Sequence, residues 1–321
     1  MADRVGLSII IPMFNVEDYL DKCMASILRA DGIENTQIIL VDDGSTDSTA
    51  KIAAGYSSGF SNISVIHIPN NGPSEARNVG IRESCGKYLF FCDADDEVVS
   101  EKLSKIISFS DSADADVILW DAELFDDSGS IFTKKRRDYF IHRGLNQEDG
   151  IITGEQALKN QIDACMNFPA TVWLGIYRRN FVIESNLFFE KGILHEDELW
   201  VTKVFLCAKT VKYIQDMVYR YRIHRGSITN PDSEDWTRHI ESLLYVYSEL
   251  YRYCDDRYGG DAFCKKIEAC FTRRYLHMIY YYDFYKYGYK DKIDLKQLWL
   301  TSGRIIDKIR VMLLGIRGIL Y

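Results

Sequence analysis

The 321-residue chain is 47% hydrophobic and 27% charged, enough apolar material for one large core or two smaller ones. Its formal net charge of -8 and pI near 5.4 leave out the basic footprint of a general nucleic-acid binder. No run of about 20 apolar residues is present, so no segment reads as membrane-spanning.

In chain order, five β-rich runs come first: LSIIIP (7–12), TQIILVDD (36–43), ISVIHI (63–68), KYLFFCD (87–93) and ADVILWD (115–121). Helical patterns lie between the first four, over 16–29, 48–56 and 74–82. Continuous apolar strands alternating with helices imply an α/β fold with a mainly parallel sheet covered on both faces. In such sheets ligands bind beyond the carboxyl ends of the strands. Three of these runs end in carboxylate-bearing turns, VDDGSTDST, CDADD and WDAE.

After Asp121 the pattern loosens into a turn and hairpin region, a short helix at GEQALKNQI and a mixed segment ending near 231. From about 232 onward three or four Tyr-rich helices are expected, broken at Gly259-Gly260 and Gly288. This divides the chain into 1–125, 126–231 and a helical extension over 232–321. The eight cysteines fall in apolar segments without a CxxC pair, as in a reduced cytosolic protein, and the N-terminal residues lack a signal-peptide pattern.

Four motifs carry chemistry. In VDDGSTDST, Asp42 and Asp43 close a strand and Gly44 permits a tight turn, while Ser45, Thr46 or Asp47 can cap the next helix. A carboxylate there is either part of a plain β-turn-α junction or a partner for a uracil imide. In NNGPSEARNVG, Arg77 is either a solvated helix charge or a guanidinium over the strand ends, facing a base or an anion. In CDADD, alternation places Asp93 and Asp95 on one side of an extended segment, an oxygen-ligand spacing that suits Mg²⁺ or Mn²⁺ carrying a nucleotide diphosphate. In HEDELW, Glu196 and Asp197 open an amphipathic helix, where carboxylates favour the macrodipole but also supply a candidate general base.

Taken in order, IIIPMFN, VDDGSTDST, NNGPSEARNVG, DADD and HED resemble the inverting family 2 glycosyltransferases with the GT-A fold, over roughly residues 5–230. The resemblance implies that Pro12 and Asn15 lie near the nucleoside, that Asp43 bonds the uracil imide, and that Arg77 contacts base or phosphate. It further implies Asp93 at the ribose, Asp95 at the metal, Asp197 as general base and Glu196 beside it. YRYRIHRGSITN resembles the loop that closes over the diphosphate, with His224 at the metal or a phosphate, or simply structural, and Arg225 at the leaving group. Trp173 is either an acceptor platform or a buried aromatic.

The tail over 304–321 reads as a basic amphipathic helix that lies in an anionic membrane interface, packs on the domain or forms a dimer. The basic KKRR at 134–137 reads as a solvated hairpin tip or as an aid to the same interfacial docking. The function implied is metal-dependent transfer from a UDP-sugar, a hexose or N-acetylhexosamine donor, to a glycan or lipid-linked acceptor in cell-surface polysaccharide assembly. The expected location is the cytoplasm, at the inner face of the cell membrane if the tail docks there. The alternatives are a non-catalytic nucleotide-sugar-binding subunit and a sugar-phosphate nucleotidyltransferase, the latter lacking here the basic Gly-rich loop expected after the first strand.

Overall fold

The computed structural model describes residues 5–126, 140–224 and 236–320. Four strands, β1 (Leu7–Met13), β2 (Gln37–Asp42), β3 (Ile63–His67) and β4 (Tyr88–Phe91), are parallel in the order β3-β2-β1-β4. Helices α1 (Leu20–Leu28), α2 (Thr49–Gly59) and α3 (Pro73–Glu83) connect them. The reason β1, β2 and β4 read as unbroken apolar runs is that Ile9, Ile10, Ile38, Ile39, Phe90 and Phe91 are all fully buried, which requires cover on both faces. Each such side chain contributes about 1.5–3 kcal/mol on burial. At Gly80 of α3 a Cβ would run into Ile10, so a side chain there would push the helix off the sheet.

Next come β5 (Glu97–Val98), α4 (Ser100–Ser110), β6 (Val117–Asp126), β7 (Ile151–Ile152), α5 (Gly154–Cys165), β8 (Gly175–Arg178), α6 (Arg179–Glu184), α7 (Glu196–Cys207) and β9 (Val211–Ile223). Strand β8 inserts antiparallel between β4 and β6, and β9 runs parallel to β6. Among the described residues the sheet has nine strands in the order β3-β2-β1-β4-β8-β6-β9-β5, with β7 on β9. Its longest ladders are parallel. The divide expected at 125/126 falls at the end of β6, within this sheet.

One strand differs from expectation. Asp121 is not in a turn at a strand end: β6 passes through a bulge there and continues to Asp126 along β9. The buried carboxylate is accommodated because Tyr213 Oη donates to it at 2.6 Å and the His142 amide at 2.9 Å.

The extension forms α8 (Thr237–Tyr258), α9 (Ala262–Tyr281), α10 (Leu295–Thr301) and α11 (Ile305–Leu320). In α8 the residues Ile240, Leu243, Val246, Tyr247, Leu250 and Cys254 recur at helical spacing and are buried. Tyr247 stacks on Tyr275 of α9 at 4.6 Å, and α8 and α9 pack on α7 and α5. All eight cysteines are free thiols. Among the described residues no helix is long and apolar enough to cross a membrane.

Candidate active site

The carboxyl ends of β1 and β2 are tied by their own side chains. Asn15 takes a left-handed backbone, φ 50°, and its Oδ1 accepts the Thr46 amide at 2.8 Å, while its own amide donates to Ser45 Oγ at 3.1 Å. Pro12 sits one residue before the end of β1, in register with Val41. Gly44 has φ 72°, and a Cβ would sit 3.0 Å from the Asn70 nitrogen, so the turn requires glycine.

Asp42 receives the Ser45 amide at 3.1 Å and His67 Nδ1 at 2.8 Å. Burial works to raise its pKa, but these hydrogen bonds outweigh burial and hold it below the usual carboxylate value. Both oxygens of Asp43 accept backbone amides, from Asn71 and Gly72, each at 2.8 Å. Asp43 thus pins the start of α3 against β2. Burial lifts its pKa despite those two bonds, with Asp42 and Glu75 adding to the lift.

Helix α3 carries Arg77 into the centre of the site. Its side chain is buried, and the guanidinium reaches Asp93 at 3.0 Å, Glu196 at 2.5 Å and Asp197 at 3.4 Å. One cation therefore joins the segment after β4 to the first turn of α7, which are about 100 residues apart in sequence. The same helix is anchored by Asn78, which exchanges hydrogen bonds with both backbone groups of Phe189 at 2.9 and 2.8 Å.

Asp197 also accepts the Val172 amide at 3.4 Å. Burial pushes its pKa up to about 8, with the neighbouring Glu196 and Asp93 charges helping and Arg77 opposing. A carboxyl group poised near neutrality is suited to taking a proton from a hydroxyl. Asp93 is likewise raised by burial, against Arg77.

The three acids after β4 separate sharply in environment. Asp95 is partly exposed and lies 2.9 Å from His224 Nε2, whose ring is 4.5 Å from that of Tyr19. Asp96 is buried and accepts Tyr219 Oη and the Arg222 amide, each at 2.7 Å. It holds β9 against the acidic turn, as does Arg222, whose Nε donates to the Asp95 carbonyl at 2.8 Å. Burial and the charges of Asp95 and Asp93 raise the Asp96 pKa well above the ordinary value.

Asp95 and His224 are thus two donors side by side; among the described residues no group of three or more His, Cys, Asp or Glu is arranged around one metal position. Trp173 is a buried aromatic, stacked on Tyr219 at 4.4 Å and on Tyr221 at 5.5 Å, and is closed to a sugar ring. Arg225 and the 134–137 basic run lie outside the described residues.

Three features of the site have no short-range sequence signal. His195, immediately before the two acids, is left-handed at φ 60°, a conformation that costs a non-glycine residue about 1–3 kcal/mol. It is held by α8: His195 Nε2 lies 3.0 Å from His239 Nδ1, and Ser242 Oγ accepts the Leu194 amide at 2.9 Å. Burial, then the adjacent His239, depresses the His195 pKa to about 3, so the pair is neutral at ordinary pH. One residue past the acids, Glu198 is gripped by Arg274 of α9.

The sheet order and the acidic strand ends define a GT-A glycosyltransferase fold. The crystal structure of S. aureus TarS in complex with UDP-GlcNAc is similar with a TM-score of 0.63 and 21% identity, covering 96% of this chain and 83% of that one. The family model for glycosyl transferase family 2 matches residues 8–169, half of the chain, and the protein belongs to that family. An uncharacterized glycosyltransferase of Escherichia coli, YibD, is 29% identical over 78% of this chain and 72% of its own length. The poly(ribitol-phosphate) beta-glucosyltransferase of Bacillus spizizenii is 27% identical over 68% of this chain and 32% of its own.

Proposed function

We propose that the protein is an inverting, metal-dependent glycosyltransferase that takes a hexose or N-acetylhexosamine from a UDP-sugar and passes it to a glycan or lipid-linked acceptor in cell-surface polysaccharide assembly. The observation that carries this is the buried Arg77, which brings Asp93, Glu196 and Asp197 together at the carboxyl edge of the sheet. The UDP-GlcNAc and UDP complexes of TarS support a UDP-linked donor, and the poly(ribitol-phosphate) beta-glucosyltransferase relative supports a polymeric acceptor.

In this reading Asp197 removes the proton of the acceptor hydroxyl, and Glu196 and Arg77 hold its carboxylate in place. Asp93 faces the ribose, while Pro12, Asn15 and Asp43 shape the wall against the base. Asp95 and His224 are the donors for Mg²⁺ or Mn²⁺, a pairing that suits a cation which also keeps water and substrate phosphate oxygens as ligands. When bound, that cation would offset charge on the departing diphosphate. Arg225 would assist there. The setting is the cytoplasm, at the inner face of the cell membrane.

Titration calorimetry of UDP with and without Mn²⁺ tests the donor half. Mn²⁺ should tighten binding to the wild type and leave Asp95→Ala unaffected. UDP binding that ignores Mn²⁺ in the wild type would contradict the assigned metal position.

A further inference from the structure

Helix α11 is apolar on two faces, whereas an ordinary surface helix has one apolar stripe, facing the core. Its buried residues include Asp307, Val311 and Leu314, whereas Ile305 is 80% exposed, Met312 54% and Leu313 53%. Ile306, Ile309 and Ile316 are exposed as well. At about 100° per residue, Ile305, Ile309, Met312 and Ile316 form one stripe bordered by Ile306 and Leu313, opposite the buried face. Two further large side chains, Trp299 and Leu300, are exposed at the end of α10. Isolated exposed apolar residues are commonplace; eight on two adjoining helices mark an interaction surface.

The charges indicate the occupant. Lys308 falls on one margin of the apolar stripe and Arg310 and Arg317, paired with Asp307 and Asp283, on the other, with Arg304 just before the first turn. Lys308 Nζ also lies 5.2 Å from the centre of the Trp299 ring. From Lys286 to Arg317 there are eight Lys and Arg against three Asp, in a chain whose net charge is -8. Cations along both edges of an apolar stripe match a helix lying in the plane of a bilayer, apolar face sunk about 5–10 Å and basic stems reaching the headgroups. A two-fold contact between copies would instead set these same cations against one another.

We propose that α11, with the end of α10, is a docking surface for an anionic lipid bilayer. The inference rests on this surface and is independent of the chemistry at Asp197. The helix remains on the protein while docked: Tyr285 Oη donates to the Leu314 carbonyl at 2.8 Å, and Arg317 pairs with Asp283 at 2.8 Å. Docking through such a face would also confine the enzyme to the plane from which a lipid-linked acceptor is presented.

Flotation of the full chain with vesicles of phosphatidylcholine alone, or of phosphatidylcholine mixed with phosphatidylglycerol, tests the proposal. The wild type should float with the mixed vesicles, far less with the neutral ones, and be released by salt. The triple variant Ile309→Ser, Met312→Ser, Leu313→Ser, altered only at exposed positions, should lose at least tenfold in partitioning with an unchanged thermal midpoint. Arg304→Gln and Lys308→Gln should each lower partitioning about fivefold. Failure to float with either vesicle, equal flotation with both, or a lipid-free dimer abolished by the triple variant would overturn the proposal.

Discussion

Arg77 meets three carboxylates while shielded from water, so the protonation of Asp197 depends on it directly. Because Asp197 must be ionised to accept a proton and its pKa is raised to about 8, kcat/KM should climb with pH through an acid limb near 8. In Arg77→Met the carboxylate loses its compensating cation, so the limb should move to higher pH by about 1–3 units, with partial recovery in Arg77→Lys. A limb unmoved by Arg77→Met would show that the pair is not coupled. The acids themselves were legible in the sequence, since DADD and HED are contiguous. The role of Arg77 was not: its partner Glu196 lies 119 residues away, and the local sequence allows a solvated helix charge or a contact with a base or an anion equally well. Asp43 was legible as a strand-end acid, but not that two backbone amides already occupy its oxygens. Trp173 was open between platform and core, and only the stacking of Tyr219 and Tyr221 on its ring decides it.

Helix α7 carries the candidate base and is braced from the helical extension. Arg274 of α9 grips Glu198 through two nitrogens, donates to the Phe168 carbonyl at 2.6 Å and covers the Phe168 ring at 4.7 Å. Removing only the cation would strand a buried carboxylate, so Arg274→Met should lower unfolding stability by about 3–5 kcal/mol, measured by urea denaturation. Adding Glu198→Gln should restore part of that loss. Equal stability of Arg274→Met and the wild type would mean that the extension does not brace α7 through Arg274. Strands β1 to β4 and the three helices between them were readable because buried parallel strands are mostly apolar, whereas β5 and α4 were not read from the sequence. The course of β6 beyond Asp121 was not, because a buried aspartate satisfied by Tyr213 looks in sequence like a turn residue. The extension was visible as helices, but its grip on α7 depends on His239, Ser242 and Arg274, which no local pattern marks.

At the scale of the whole molecule, one sheet presents acidic strand ends along its carboxyl edge, and the C-terminal helices both brace the helix of the candidate base and carry a basic, apolar outer face. An acidic chain with a basic face has a built-in orientation on an anionic surface, and this should weaken as ionic strength shortens the screening length. The central claim is that Asp197 activates the acceptor oxygen. It is tested most directly by the kcat for sugar transfer from the preferred UDP-sugar, with Mn²⁺, by the wild type and by Asp197→Asn. The amide keeps the shape but cannot take a proton, so kcat should fall by about 10²–10⁴ while UDP binding and fold are retained. Transfer at the wild-type rate by Asp197→Asn would contradict the assignment.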